Sequence, residues 1–458
     1  MTKNKPLAVV ILAAGKGTRM KSKKPKVMHE LLGLPMINWL LSSVDQLSPE
    51  RIVVVVGKGM QDLVAAVKPH ETVVQKTQDG TGSALKAGMS VLDGFDGDIL
   101  VLLGDTPLIS VATMQGLITS RHQDDVTGIS VLGVRLDNPA GYGRLLLNDD
   151  ETLKAIREEK DATPEEKRVN IVNTGAFCLD AGRTVGWLDA LGNSNAQGEY
   201  YITDLPEIAA RDGVKTRVSV SINAAEVVGC NTRVDLSNLE QTAQHKMREN
   251  FMMAGVVMQD PSSVYLHHDT KIASGVILEP NVYFGADVEV GENVHIKAFC
   301  HFEGAKISKN SIIGPFARLR PGSDIGEEVR IGNFVEIKKS SIGDRSKISH
   351  LGYVGDCTMG EDVNFSCGAI TVNYDGFDKY QTVIGKGVMV GSNVNLVAPL
   401  TLDDGAFIAA GSTITTDVPA DALSVERSKA EVRSGWAALY RKRKEKVRAA
   451  QQKKQSEK

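Results

Sequence analysis

Residues 272–302 read IASGVILEPNVYFGADVEVGENVHIKAFCHF, and an aliphatic or aromatic residue recurs at every sixth position. A period of six fits neither a helix nor an ordinary strand, so it indicates a structural repeat. We predict that each hexad forms a short strand and a turn. Stacked hexads then give a parallel β-helix with an inward aliphatic ladder, in preference to hairpins in a sandwich. With shifts of register, the ladder is Ile272, Leu278, Phe284, Val290, Ile296, Phe302, Ile307, Ile313, Leu319, Ile325, Ile331, Ile337, Ile342, Ile348, Val354, Met359, Phe365, Ile384, Val390, Leu396, Leu402, Ile408 and Ile414.

Composition limits the remaining possibilities. A chain of 458 residues is too long for one ordinary domain, and 42% hydrophobic with 24% charged residues is typical of a soluble globular protein. No apolar run approaches roughly 18 residues, and the N-terminus shows no signal-peptide pattern, so we expect no membrane insertion. Five scattered cysteines form no C-x-x-C motif. They predict reduced thiols and a cytoplasmic location.

The charge of the chain is unevenly distributed. Net charge is −3, yet residues 441–458 carry nine Lys or Arg against two Glu, which leaves the rest at about −10. An acidic body argues against a nucleic-acid-binding face on the folded domains. The tail is nearly free of apolar residues after Val447, so residues 441–458 are predicted to be disordered or a frayed helix.

The N-terminus carries a glycine-rich turn. Residues 7–14 are a continuous apolar run, as in a doubly covered parallel strand, and Gly-Lys-Gly-Thr-Arg follows at 15–19. Glycines after a strand let backbone N–H groups approach phosphate, and the lysines that follow supply charge. The P-loop motif is absent, and Met20 occupies the third glycine position of G-x-G-x-x-G. Taken alone, the turn could still be merely structural.

Further strands at 51–56 and 98–103 alternate with helical segments, which predicts a Rossmann-like sheet with ligands at the carboxyl ends of its strands. Residues 78–82 (QDGTG) offer an amide and close backbone approach, suited to reading a base edge. Asp105 lies just past a buried strand, where a carboxylate can hold Mg²⁺ against phosphate. A lone Asp there is more often a helix cap than a metal ligand. The presence of the glycine-rich turn in the same domain favours the role of metal ligand for Asp105. Residues 138–144 form another glycine-rich turn.

Two features interrupt the hexads. Residues 373–383 are too long for one turn and must project from a corner. His350 stands at an outward position, where a histidine is usually just solvated. With three hexads to a coil, however, Arg320, Lys338 and His350 can converge near one edge. That set suits a sugar phosphate with a nearby general base.

The run at 12–19 (LAAGKGTR) with Pro25-Lys26 resembles the signature of sugar-1-phosphate nucleotidylyltransferases. Residues 156–162, 172–175, 197–204 and 230–233 extend the resemblance through the N-terminal half. Taken with the hexads, nearly the whole chain resembles the bifunctional bacterial family that combines N-acetylglucosamine-1-phosphate uridyltransferase with glucosamine-1-phosphate acetyltransferase.

That resemblance implies an α/β Rossmann-like nucleotidyltransferase domain followed by a left-handed parallel β-helix of hexapeptide repeats. The predicted domains are residues 1–232 for uridylyl transfer, a linker helix at 233–254, the acetyltransferase β-helix at 255–440, and the basic tail. The family further implies a homotrimer formed through the β-helix, with acetyl-CoA between neighbouring subunits. Its substrates are small molecules, with UTP and acetyl-CoA as co-substrates and Mg²⁺ as cofactor.

The resemblance also implies roles for individual residues. His350 matches the base of acetyl transfer, and Arg19 and Lys26 match catalytic cations of uridylyl transfer. Asp105 and Asn231 match the metal ligands. The residues matching UTP and UDP-N-acetylglucosamine contacts are Leu12, Ala13, Ala14, Gly15, Lys26, Gln78, Gly80, Thr81, Gly143, Glu158, Asn173 and Asn231. Those matching glucosamine-1-phosphate contacts are Arg320, Lys338, Tyr353 and Asn364, and those matching acetyl-CoA contacts are Cys367, Asn373, Tyr374, Ser392, Ala410 and Arg427.

Two residues depart from the family pattern. Leu103 replaces a common aromatic residue, and Cys367 stands where the family has a small residue. Two other functions stay open. One is a nucleotidylyltransferase whose β-helix is only structural or regulatory, which Arg320, Lys338 and His350 argue against. The other is a non-catalytic assembly subunit, which would have no use for the glycine-rich turn with Lys26 and Asp105.

Overall fold

The computed structural model describes residues 5–15 and 17–456. Lys16 of the glycine-rich turn, the first four residues and the last two of the predicted tail lie outside the described residues. The chain forms two compact units. The first runs to Lys271 and includes Tyr283–Asp287, and the second comprises Ile272–Val282 and everything from Val288 onward.

The first unit has eleven named strands before its last long helix. They are β1 Leu7–Leu12, β2 Glu30–Leu31, β3 Leu34–Pro35, β4 Arg51–Gly57, β5 Glu71–Gln75, β6 Asp98–Leu103, β7 Thr127–Arg135, β8 Arg144–Leu147, β9 Leu153–Arg157, β10 Ile171–Asp180 and β11 Lys215–Ser221. The helices are α1 Met36–Asp45, α2 Gln61–Ala66, α3 Thr81–Met89, α4 Val111–Arg121, α5 Ala181–Asp189, α6 Leu205–Arg211, α7 Ala224–Val227 and α8 Arg233–Met253.

A mixed sheet lies at the centre of this unit, with strand order β11-β7-β10-β6-β1-β4-β5. Strands β6, β1, β4 and β5 are parallel, and β10 runs antiparallel to both neighbours. Alternate residues of β1 enter separate cores, with Val10 on one side and Ile11 on the other. Both faces are therefore covered, as the continuous apolar run at 7–14 predicted. The carboxyl ends of β1, β5 and β6 lie at the same edge of this sheet.

Helix α8, Arg233–Met253, occupies the residues of the linker helix predicted at 233–254. It buries Leu239 and Ala243 against Met20, Leu31 and Met36 of the N-terminal segment. The helix therefore belongs to the first unit by its packing, and the division between units falls at Lys271, beyond the expected boundary at 254.

The β-helix consists of short strands stacked coil upon coil. They are β12 Val257–Met258, β13 Lys271–Ile272, β14 Ile277–Leu278, β15 Tyr283–Phe284, β16 Val288–Val290, β17 His295–Ile296, β18 His301–Phe302, β19 Ala305–Ile307, β20 Ile312–Ile313, β21 Arg318–Leu319, β22 Ser323–Ile325, β23 Arg330–Asn333, β24 Glu336–Ile342, β25 Lys347–His350, β26 Tyr353–Met359, β27 Asn364–Phe365, β28 Ile370–Val372, β29 Thr382–Ile384, β30 Met389–Val390, β31 Asn395–Val397, β32 Leu400–Leu402, β33 Phe407–Ile408, β34 Thr413–Ile414 and β35 Leu423–Ser424.

These strands make three parallel faces. From β14 onward the faces are β14-β17-β20-β23-β25-β27-β30-β33-β35, β16-β19-β22-β24-β26-β29-β32 and β18-β21-β24-β26-β28-β31-β34. The long strands β24 and β26 pass through a corner and belong to two faces. The predicted ladder is buried throughout, for example Ile313 and Val390 at 0% exposure. The predicted left-handed parallel β-helix of hexapeptide repeats is confirmed.

Many corners of the coils hold a residue with positive φ, three positions before an inward residue. Besides asparagines and aspartates, Phe299, Phe316, Phe334 and Leu351 adopt this left-handed conformation. Their side chains are exposed, and the aromatic rings stack with centroids 5.0 and 5.1 Å apart. We call these four residues the corner column.

Coil length changes around His350. Ile313 pairs with Ile331 at the full spacing of three hexads. The next two pairings, Ile331 with Ile348 and Ile348 with Phe365, are each shorter by a single position. The pairing of Phe365 with Val390 is much longer, because an exposed segment at 374–381 is inserted there. This segment is shorter than the predicted 373–383, since Asn373 is buried and β29 begins at Thr382.

The tail at 441–458 was predicted to be disordered or a frayed helix, and its described residues belong to a helix. Trp436–Ser456 form helix α9. Lys, Arg, Gln, Glu and Ala are strong helix formers, and the sequence favours this helix although its described side chains, 436–452, are exposed. None of the helices in the described ranges combines the length and apolarity needed to cross a membrane.

Candidate functional site

A cavity of about 490 Å³ opens at the carboxyl ends of the parallel strands in the first unit. This is the edge at which a doubly wound sheet binds its ligands. Eight of the predicted nucleotide residues line it, namely Leu12, Ala13, Ala14, Gly15, Lys26, Gln78, Gly80 and Thr81, together with Asp105. Gln75, Glu199 and Leu103 line it as well.

Four polar side chains meet at one side of this cavity. The Lys26 ammonium contacts the Asp105 carboxylate and donates to the Asn231 amide oxygen at 3.2 Å. Arg19 donates to the same amide oxygen at 2.7 Å. The structure thus joins three segments far apart in sequence into one cluster, which we call the cation cluster.

Local structure places the cation cluster. Gly17 has φ +58°, and a Cβ there would lie 2.7 Å from the Cβ of Lys26, so glycine permits the close approach of Lys26. Asp105 follows β6, and its carbonyl accepts from the Cys230 N–H at 2.9 Å. Asn231 precedes α8, where the Asp235 carboxylate accepts from the N–H groups of Asn231 and Thr232 at 2.9 and 2.8 Å. A capping box therefore fixes both the helix start and the backbone of Asn231.

The cation cluster also has the chemistry of a magnesium site. A carboxylate oxygen and an amide oxygen are hard ligands of the kind Mg²⁺ prefers. Both are gathered around one cationic group, the Lys26 ammonium, which shows that the two oxygens share a site for positive charge. Asp105 and Asn231 therefore fit the metal that the family implies.

The loop at residues 78–82 is anchored on the other side of the cavity. The Gln78 amide donates to the Ala14 carbonyl. Gly80 has φ +126°, and a Cβ there would lie 2.3 Å from the Tyr200 carbonyl oxygen. Thr81 accepts from the Ile202 N–H at 3.1 Å. The loop is thus pinned against residues 200–202.

A second cavity of about 260 Å³ holds Glu158 with Arg157, Asp161 and Asp204. Burial raises the pKa of Glu158, and it also raises the pKa of Asp204. Thr203 donates to Glu158 at 3.2 Å.

Gly143 and Asn173, which were predicted to contact UTP or UDP-N-acetylglucosamine, lie beside this cavity. A Cβ on Gly143 would lie 3.3 Å from a Glu158 oxygen, and the Gly143 carbonyl accepts from the Asn173 N–H at 2.8 Å. Leu103, which departs from the family pattern, packs closely on Gly175. A Cβ on Gly175 would lie 2.3 Å from the Leu103 side chain.

The second cluster lies at one corner of the β-helix. Leu319 pairs with Ile337, so Arg320 and Lys338 are neighbours one coil apart, as predicted. Glu336 accepts from Arg320 at 2.8 Å. A side-chain hydrogen bond and the like charge of Lys379 lower the pKa of Lys338, and the charge of Arg320 adds to the effect. Three cations gathered in this way are suited to binding phosphate.

His350 ends β25 on the adjoining face. Its imidazole Nδ1 donates to the Asn333 amide oxygen at 2.9 Å. The ring is exposed, and Tyr353 follows on β26, opposite Glu336 in the neighbouring coil.

The other predicted ligand residues are spread over several coils. Asn364 donates to the Ser366 hydroxyl at 3.0 Å, and Cys367 is half-buried. The Asn373 side-chain amide donates to the Asp356 carboxylate at 2.5 Å. Asp356 follows Gly355, the register partner of Lys338 in the next coil. The Tyr374 hydroxyl donates to the Gly376 carbonyl at 2.6 Å.

Further along the β-helix, Arg427 donates to the Ala410 carbonyl at 2.5 Å, and the Ser392 carbonyl accepts from the Gly411 N–H at 2.8 Å. The acetyl-CoA roles of these residues stay predictions.

Sequence reasoning missed three residues at these clusters. Asn333 was missed because a coil of three full hexads would place Gly332 beside His350, whereas the shortened coil brings Asn333 there. Lys379 lies in the projecting segment, whose path the hexads do not determine. Glu199 stands within the segment 197–204 that extends the resemblance, and only the fold shows that it lines the 490 Å³ cavity.

Both halves of the chain match known families. The MobA-like NTP transferase domain matches residues 9–168, and the bacterial transferase hexapeptide family (six repeats) matches residues 269–304 and 304–339. The chain is 46% identical to the bifunctional protein GlmU of Paramagnetospirillum magneticum, over 95% of this chain and 96% of that protein. It is 44% identical to the bifunctional protein GlmU of Zymomonas mobilis over 97% and 100%, and 42% identical to that of a Jannaschia species over 98% and 99%. Since this similarity spans both units and nearly the full length of each relative, the chain belongs to the bifunctional GlmU family.

Proposed function

We propose that the chain is a bifunctional enzyme of UDP-N-acetylglucosamine synthesis. The β-helix acetylates glucosamine-1-phosphate with acetyl-CoA. The first unit then transfers UMP from UTP to N-acetylglucosamine-1-phosphate and releases pyrophosphate. The observation that carries the proposal is that suitable chemistry occurs in both units: the cation cluster lies in the first, and Arg320, Lys338 and His350 lie on adjoining faces of the β-helix. We assign uridylyl transfer to residues 1–232 and acetyl transfer to residues 255–440.

In uridylyl transfer, a phosphate oxygen of N-acetylglucosamine-1-phosphate attacks the α-phosphorus of UTP. The new P–O bond forms as the bond to the bridging oxygen breaks, and pyrophosphate leaves. Lys26 and Arg19 neutralise charge on the phosphoryl oxygens, so positioning and electrostatics supply most of the rate. When bound by Asp105 and Asn231, Mg²⁺ would supply further neutralisation of phosphate charge. Glu158 and Asn173 would hold the sugar.

In acetyl transfer, the amine of glucosamine-1-phosphate attacks the thioester carbonyl of acetyl-CoA directly. His350 takes a proton from the amine, and a tetrahedral oxyanion forms. Its collapse breaks the C–S bond, and the departing thiolate takes a proton back. Arg320, Lys338 and Lys379 would bind the phosphate. The projecting segment would thus contribute Lys379 to phosphate binding.

We further propose that the protein is a homotrimer assembled through the β-helix, with acetyl-CoA held between subunits. The corner column supports this, because it exposes three stacked phenylalanines and a leucine directly beside His350. A second copy seated there would bury the column and enclose the base. Five free thiols, four of them buried, support a reducing, cytoplasmic location.

One pair of variants tests the two assignments together. His350→Ala should lower acetyl transfer by about 10²- to 10⁴-fold and leave uridylyl transfer unchanged, because the two clusters share no residue. Asp105→Ala should do the reverse. Free thiol reports the first reaction and pyrophosphate the second, with the melting temperature as a control for folding. Loss of both activities from either variant would refute the separation. If the wild-type protein releases no thiol from acetyl-CoA and glucosamine-1-phosphate, the β-helix is structural or regulatory instead.

A further inference from the structure

The imidazole of His350 is held by a side-chain hydrogen bond. Its Nδ1–H donates to the amide oxygen of Asn333 at 2.9 Å. The two residues are register partners on β23 and β25, one shortened coil apart. The bond therefore runs along the stacking direction of the β-helix, between equivalent positions of successive coils.

The backbone around His350 is fixed from both sides. The Leu351 N–H donates to the Asn333 carbonyl at 3.0 Å, and the Gly368 N–H donates to the His350 carbonyl at 3.3 Å. A Cβ on Gly332 would lie 1.8 Å from the Ser349 carbonyl oxygen, so the two coils approach as closely as glycine allows. With the main chain held in this way, the freedom left to His350 is rotation of its side chain, and the Asn333 bond removes that.

The same bond decides which ring nitrogen can accept a proton. A neutral imidazole carries one N–H and one lone pair, and the hydrogen bond at one nitrogen sets which is which. The amide oxygen of Asn333 can only accept, so the ring proton stays on Nδ1 and the lone pair on Nε2. An amide does this without adding a charge beside the phosphate-binding cations.

We propose that Asn333 is a positioning residue for acetyl transfer, which keeps Nε2 of His350 as the proton acceptor and holds the ring in one orientation. This inference rests on the proposed role of His350 as the base. Asn333 itself touches no reacting atom. Its effect passes entirely through the tautomer and orientation of the imidazole, as for partners that orient metal-bound or triad histidines.

The kinetic test uses three variants of the full chain. Asn333→Ala should lower kcat for acetyl transfer about 10- to 100-fold, with the KM for glucosamine-1-phosphate within about twofold of wild type. Asn333→Asp keeps an acceptor oxygen on the same Cβ and should restore most of kcat. Asn395→Ala is the matched control, since it removes another coil-to-coil amide bond, to Thr413 at 3.2 Å. It should leave both activities unchanged.

A spectroscopic readout separates positioning from general loosening. In protein labelled with ¹⁵N-histidine, the His350 signals are identified by their loss in His350→Gln. Wild type should show the Nδ1–H tautomer, and Asn333→Ala should show exchange between both tautomers at unchanged melting temperature. A single unchanged tautomer in Asn333→Ala, or full kcat in that variant while His350→Ala is inactive, would overturn this inference alone. Full acetyl transfer by His350→Ala would instead refute the proposed base.

Discussion

At the scale of single residues, Gly17 shows how a missing side chain shapes the cation cluster. We predict that Gly17→Ala lowers kcat/KM for uridylyl transfer at least 10-fold, because the new Cβ must displace Lys26, 2.7 Å away. The left-handed φ of +58° should also cost about 1–2 kcal/mol of stability. Steady-state pyrophosphate release measures the first effect and thermal unfolding the second.

Gly59→Ala is the matched control. Gly59 has φ +86° but open space where a Cβ would point. It should show a similar stability loss with normal uridylyl kinetics. If Gly17→Ala loses stability alone, as Gly59→Ala should, the contact with Lys26 is not what places the lysine.

Glu158 makes stability depend on pH. Burial raises its pKa in the folded state, so the folded protein holds that proton more tightly than the unfolded chain does. The contribution of this proton to the free energy of unfolding is complete below about pH 4.3, the pKa of Glu158 in the unfolded chain. It is lost as pH rises through the pKa of Glu158 in the folded protein. Glu158→Gln should therefore raise the melting temperature at pH 8 and change it little near pH 4. The exposed Glu165→Gln serves as the control. A rise in the melting temperature of Glu158→Gln that is the same at pH 4 and pH 8 would contradict the argument.

At the scale of elements, the start of α8 links helix stability to catalysis. Asp235→Ala removes the acceptor for the Asn231 and Thr232 N–H groups, so we expect a loss of about 1 kcal/mol together with a 5- to 10-fold drop in uridylyl transfer. Acetyl transfer should stay normal. Ser110→Ala removes the N-cap of α4, whose hydroxyl accepts from Thr113 at 3.2 Å. Ser110→Ala should cost similar stability and leave uridylyl transfer unchanged. Equal rates of uridylyl transfer in Ser110→Ala and Asp235→Ala would argue against a role for the α8 cap.

Elements also show where prediction from sequence succeeded. Every ladder residue that the hexads identified is buried, since a period of six leaves one way to bury an aliphatic ladder. The hexads could not identify corners where Phe316 or Leu351 takes positive φ, because that conformation is unusual for bulky residues. Nor could a nominal repeat reveal that a shortened coil puts Asn333 beside His350. In the first unit, the glycine-rich turn, Lys26 and Asp105 were predicted together, whereas Glu199 was brought to the cavity by tertiary folding alone.

At the scale of the whole molecule, the corner column predicts assembly. Phe316→Glu should weaken the proposed trimer by placing a charge between Phe299 and Phe334, whose rings flank it. Light scattering after size exclusion should show smaller species. Acetyl transfer should fall with the trimer, and uridylyl transfer should persist.

Phe407→Glu alters a phenylalanine of similar exposure outside the column, 49% against 44% for Phe316. This control should stay trimeric. A Phe316→Glu protein that remains trimeric and fully active in acetyl transfer would show that the column does not form the interface.

The sequence distance between paired residues has a consequence for how the protein is made. Lys26 and Asn231 are 205 positions apart, whereas Asn333 and His350 are 17 apart. At roughly 5–20 residues per second of translation, the nascent chain waits about 10–40 s between the emergence of the first pair's members. The second pair is complete within about 1–3 s, and each new coil folds onto a finished one. A ribosome-bound chain stalled before Asn231 would thus carry an incomplete cation cluster, while the histidine meets its partner almost as soon as both are synthesised.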